Sequence, residues 1–86
     1  MAADQGNATA QYNLGRMYGL GEGVPKNIVR AYMWFNLAAV RFAADGADDR
    51  AKAERNRDIA AAKMTPAEIL EAQRLSREWV PSTDAK

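Results

Sequence analysis

The chain contains no cysteine and no histidine. The first absence excludes a disulfide framework and any thiolate-held metal. The second removes the commonest general base, the commonest zinc ligand and the side chain that titrates closest to neutrality. An excess of one charge is missing too: 12 basic residues stand against 11 acidic ones, for a net +1, unlike the strongly basic footprint of a nucleic-acid binder. No apolar run approaches the roughly 18 residues of a membrane span. The opening Met1-Ala2-Ala3-Asp4-Gln5-Gly6-Asn7 lacks both the basic and the apolar segment of a signal peptide. With β-branched residues sparse as well, a sheet is disfavoured. No catalysis, cofactor or metal is expected, and neither nucleic-acid binding nor membrane insertion.

What remains is a helix-forming composition, rich in Ala with Leu, Met, Glu, Arg and Lys around it. Eighty-six residues make one small domain, of a size that buries only about 60–65% of its unfolded surface. A first helix is predicted from Asn7 or Ala8 to Tyr18, with Asn7 as N-cap. Ala10, Leu14 and Tyr18 form its stripe, with Gly15 beside Leu14. A glycine there costs about 1 kcal/mol against alanine, which implies close approach of a neighbour, expected to be Ala31 or Ala38.

Gly19-Leu20-Gly21-Glu22-Gly23-Val24-Pro25 reads as a C-cap and turn. The second helix starts near Asn27 or Ile28 and runs to about Ala43, with Ala31, Trp34, Phe35, Ala38, Ala39 and Phe42 facing inward. Asp45-Gly46 breaks it. A third helix, from about Asp48 to Ala62, is charged and alanine-rich, with a weak stripe of Ala51, Ile59 and Ala62. The fourth opens on Thr65-Pro66-Ala67-Glu68, a capping threonine, a proline at the first helical position and a glutamate three residues after the cap. Ile69, Ala72, Ser76 and Trp79 line its face, Leu75 flanks them, and Pro81 ends it.

The sequence also echoes itself. Ala2-Ala3-Asp4-Gln5-Gly6 precedes the first helix and Ala43-Ala44-Asp45-Gly46 the third, and a helix pair recurring after about forty residues marks an α-solenoid. Ala8, Ala10, Leu14-Gly15, Tyr18, Gly21-Glu22-Gly23-Val24, Ala31, Trp34-Phe35 and Ala38-Ala39 together resemble the Sel-like repeat, a relative of the tetratricopeptide repeat common in bacterial proteins. Asn27 stands where that family often has aspartate, and both are good caps. Met64 to Trp79 resembles the C-terminal extension of some members.

The resemblance implies an all-α fragment of a tetratricopeptide-like solenoid, about four antiparallel helices, whose concave face holds a partner protein or peptide. Residues 1–81 are expected to form one helical repeat domain: 7–44 as the full repeat, 47–80 as a degenerate closing pair, and 82–86 as a disordered tail. Ala2 to Gly6 looks like the end of a preceding repeat, so a longer array is an expectation. Fewer than two repeats leave the N-terminal end uncapped, which makes a homodimer through that end, or a structural assembly role, the alternative.

Sharper alternatives fail on spacing. Gly19-x-Gly21-x-Gly23 is not a phosphate loop, because no strand precedes it and no Lys-Ser pair follows. Glu68 and Glu71 are better explained by a cap and a pairing with Arg74, and Asp48-Asp49 by the helix dipole. Arg50, Lys52, Arg55 and Arg57 alternate with acids, as in a solvated face with pairs such as Asp48–Lys52. Trp34 and Phe35 belong to the core. The candidate partner contacts are Tyr12, Asn13, Arg16 and Met17 on the first helix, off its packing stripe, and Tyr32 on the second. These residue types combine directional hydrogen bonds with adaptable apolar area.

Overall fold

The computed structural model describes residues 7–42 and 46–79, and these contain helices and turns but no strand. The helices are α1 (Ala8–Leu20), α2 (Ile28–Arg41), α3 (Ala47–Ala61) and α4 (Pro66–Glu78). Ala2 to Gly6, Ala43 to Asp45, Pro81 and the tail Ser82 to Lys86 lie outside the described residues.

Local chemistry sets the boundaries. Asn7 Oδ1 accepts from the Ala10 amide at 2.8 Å, and Asn27 Oδ1 accepts from the Arg30 amide at 3.1 Å, each meeting a donor that the first helical turn leaves orphaned. α1 runs two residues past Tyr18 because the stop is Gly21, in the left-handed region at φ 73°. The Gly21 and Glu22 amides both donate to the Met17 carbonyl, at 2.7 and 3.0 Å, and the Asn27 amide returns to the Tyr18 carbonyl at 3.0 Å. The chain thus reverses within seven residues and lays α2 antiparallel on α1. α4 carries the full capping box: Thr65 Oγ1 accepts from the Glu68 amide at 3.1 Å, while the Thr65 amide donates to Glu68 Oε1 at 2.9 Å.

α2 is the axis of the molecule. Eight of its residues are buried, Ala31 to Phe35 and Leu37 to Ala39, because α1, α3 and α4 all pack on it. α3 and α4 make their main contacts with α2 rather than with each other. Leu14 joins Met33, Trp34 and Leu37, closed over by Leu75 and Trp79. Ala53 meets Ala38 and Ala39 at one end of α3, and Ala60 meets Tyr32 and Ala72 at the other.

Four expectations need correction. Tyr32 is not free to face a ligand: it is buried between α2, α3 and α4, with Gln73 Nε2 at 3.5 Å from its hydroxyl. Because α2 is enclosed from three directions, residues beside its main stripe are covered too. On α3 the buried residues are Ala53 and Ala60, whereas Ala51, Ile59 and Ala62 are exposed. Two alanines seven residues apart let the backbones approach, and that contact outweighs the pull of a single isoleucine. Gly15 has Phe35, rather than Ala31 or Ala38, as its nearest neighbour. A Cβ placed on it would lie 2.8 Å from Phe35 Cδ1, while Gly19 is the glycine that approaches Ala31. The i, i+4 ion pair on α3 is Arg50–Glu54 at 3.1 Å, and Asp48–Lys52 is not among the ion pairs of the described residues. Glu71 does pair with Arg74, at 2.7 Å, and Glu78 meets the same guanidinium from the next turn.

Candidate functional site

α1 and α3 flank α2 on the same side and leave a cleft between them. One helical turn advances 3.6 residues, so Thr9, Tyr12, Arg16 and Gly19-Leu20 share a face of α1. Lys52, Asn56 and Ile59 share a face of α3, continued past its end by Lys63. These are the walls of the cleft, which holds two chambers that share Arg16.

The first chamber, ≈ 190 Å³, is mainly apolar: Phe35, Ala31 and Ile28 line it from α2, and Leu20 and Ile59 from the two walls. Leu20 is 59% exposed and Ile59 50% exposed, and both line this chamber. The second chamber, ≈ 290 Å³, is more polar, bounded by Thr9, Tyr12, Arg16, Phe42, Asp49 and Lys52. Between them Asn56 Nδ2 donates to the Tyr12 hydroxyl at 2.8 Å, a bridge from α3 to α1. The Tyr12 ring leans on Phe35, with centroids 5.6 Å apart and planes at 60°. Phe35 can lie in this position because Gly15 leaves its ring the space.

The charge of the cleft is lopsided. Arg16, Lys52 and Lys63 line it against the single carboxylate of Asp49, and none of these four is in an ion pair among the described residues. The recess on the opposite side of α3, near Asn36 and Val40, is larger than either chamber at ≈ 370 Å³. Its arginines, however, are already engaged: Arg50 with Glu54, and Arg57 with Asp58 at 3.1 Å and with Asn36 Oδ1 at 3.2 Å. Among the described residues no three Asp or Glu side chains converge as metal ligands, and no helix is long and apolar enough to cross a membrane.

Of the residues singled out from sequence, Tyr12 and Arg16 line the cleft. Asn13 is exposed but lies outside it. Met17 is half-buried against the Leu14–Trp34 cluster, close to Gly23. Tyr32 is in the core. Sequence reasoning missed Leu20, Asn56, Ile59 and the three lysine and arginine positions acting as a set. One signal for Ile59 was present. Once the alanines at i, i+7 are seen as the packed face, Ile59 falls about 100° away from Ala60 and cannot share it. Gln11, fully buried on α1, was read neither as core nor as site.

The Sel1 repeat family model matches residues 8–39, a span that covers α1, the glycine turn and α2 through Ala39. No curated protein matches the chain at a significant level, and no solved structure does.

Proposed function

Because residues 8–39 are a Sel1 repeat, a helical unit that generally mediates protein–protein contacts and is not typically catalytic, we propose that this chain recognises a partner protein or peptide along the cleft between α1 and α3. In this proposal α1 forms the inner wall of a concave face, residues 7–44 act as the full repeat, and residues 47–80 close its end. The observation that carries it is the pair Leu20 and Ile59, half-exposed apolar side chains on opposite walls above Phe35. A concavity lined mainly by apolar side chains with a few polar groups around it is the usual form of a binding site. The other exposed large side chains, Val40 and Leu70, lie outside this cleft.

Site-specific photocrosslinking tests this. A benzophenone amino acid at position 59 or 20 is expected to give discrete adducts with the partner, adducts that an unlabelled chain suppresses and an unlabelled Ile59→Glu chain does not. The same group at position 70 or 40 is expected to give none. Adducts from 70 or 40 alone would move the interface elsewhere. An adduct with a second copy of this chain would establish the homodimer instead.

A further inference from the structure

We propose that the cleft selects an extended internal peptide segment in which acidic side chains alternate with apolar ones. This rests on the peptide-binding proposal above and specifies its chemistry. The charge argument comes first. The whole chain carries a net +1, yet the cleft alone gathers Arg16, Lys52 and Lys63 against Asp49. These cations are exposed and unpaired among the described residues, so a carboxylate from a partner displaces no internal acid. A cleft with an excess of one sign of charge also steers ligands of the other.

Length and shape come second. From Thr9 to Leu20 the α1 wall rises about 17 Å at 1.5 Å per residue, which an extended chain covers in about five residues. Successive side chains of such a chain point to opposite sides. Those turned inward meet Phe35, Ile28 and Ile59, and those turned outward reach the long basic side chains of the rim, which extend along apolar walls with their charges in water. The cations are spread along the cleft, Lys52 toward one end, Arg16 between the chambers and Lys63 toward the other. That spacing suits several acidic side chains rather than a single terminal carboxylate. At the mid-point, the Tyr12–Asn56 bridge uses the Asn56 amide as donor. The Asn56 carbonyl oxygen and the Tyr12 hydroxyl proton are left for a peptide backbone.

The test is a selection from random eight-residue peptides displayed as an internal loop, so that none carries a free C-terminus. Enriched sequences are expected to place Asp or Glu next to Leu, Ile, Phe or Met. A terminally blocked synthetic copy of the best sequence should bind about tenfold more weakly to Arg16→Glu/Lys63→Glu, as expected for exposed charge pairs. It should weaken similarly in 1 M salt, where screening acts within about 3 Å, and the doubly reversed variant should enrich basic peptides instead. Both substituted side chains are exposed, and matching thermal unfolding of the variant confirms that its fold is intact. Enrichment of apolar peptides without acidic bias, lost in Ile59→Asp, would overturn this inference and leave peptide recognition standing. Tighter binding of the same peptide with a free terminal carboxylate would overturn the internal-segment assignment. No enrichment that depends on Ile59 would remove both proposals.

Discussion

Gly15→Ala is the most informative single change, because two effects of known sign oppose each other at one atom. A Cβ at position 15 would stand 2.8 Å from Phe35 Cδ1, 2.9 Å from Cε1 and 3.1 Å from Cγ, whereas carbon atoms pack optimally at about 3.5–4.0 Å. The Phe35 ring can yield toward the chamber that it lines, but not freely. It is 5% exposed, with Tyr12 leaning on it at 5.6 Å. Overpacking of this kind costs about 1–3 kcal/mol, and replacing a mid-helix glycine by alanine recovers about 1 kcal/mol. The net expectation runs from neutral to about 2 kcal/mol destabilising. For a domain of this size that is a fall in Tm of up to roughly 8–16 °C. Calorimetric or circular-dichroism melting of Gly15→Ala, Phe35→Leu and the double variant separates the two effects. In the Phe35→Leu background the added methyl group should lose its clash and become stabilising, with a coupling of about 1 kcal/mol or more between the sites. If Gly15→Ala alone raises Tm by about 4–8 °C, the propensity gain is unopposed and the Phe35 ring is not against Gly15.

Other expectations are simpler. Thr65→Ala should cost about 1 kcal/mol through loss of the cap, and Thr65→Ser should restore most of it; equal melting of all three would show that the capping box contributes nothing. Ile59→Ser should leave stability within about 0.5 kcal/mol of wild type, as for surface substitutions generally, while removing the crosslink from the cleft. A large loss of stability would mean that Ile59 is core. Tyr12→Phe should cost about 0.5–1.5 kcal/mol through the lost Asn56 hydrogen bond, and Asn56→Ala in the Tyr12→Phe background should add little, whereas full additivity would show the bridge is not formed. Trp79 is half-exposed but stands edge-on to Trp34 at 5.9 Å, with the Arg41 guanidinium 5.9 Å above its ring. In a Trp34→Phe background its emission should therefore lie between the buried and free limits and shift red in Arg41→Ala; emission equal to free tryptophan would undock the end of α4.

The sequence alone determined where α1, α2 and α4 begin, because caps are local: Asn7, Asn27 and the Thr65–Glu68 box each act within three residues of themselves. It determined the inward face of α2, since Ala31, Trp34, Phe35, Ala38 and Ala39 fall on its apolar stripe and are all buried; that α1, α3 and α4 would all pack on α2 came from the tertiary structure. The motif spacing from Ala8 to Ala39 was enough to show the resemblance that the family model also finds at residues 8–39, because its glycine turn and small residues are tied to fixed positions of a helical hairpin. It did not determine how α3 is rotated. Apolar weight pointed to Ile59, and the two backbone-approach alanines, Ala53 and Ala60, prevailed. Helical periodicity says which residues share a face, but which face is packed depends on how closely a neighbour can come. The same contact placed Ile59 opposite Leu20, buried Tyr32 among three helices, and brought Arg16, Lys52 and Lys63 to one cleft. These residues lie as far as 47 positions apart in the chain (63 − 16), and only the seating of α1 and α3 side by side on α2 makes them neighbours.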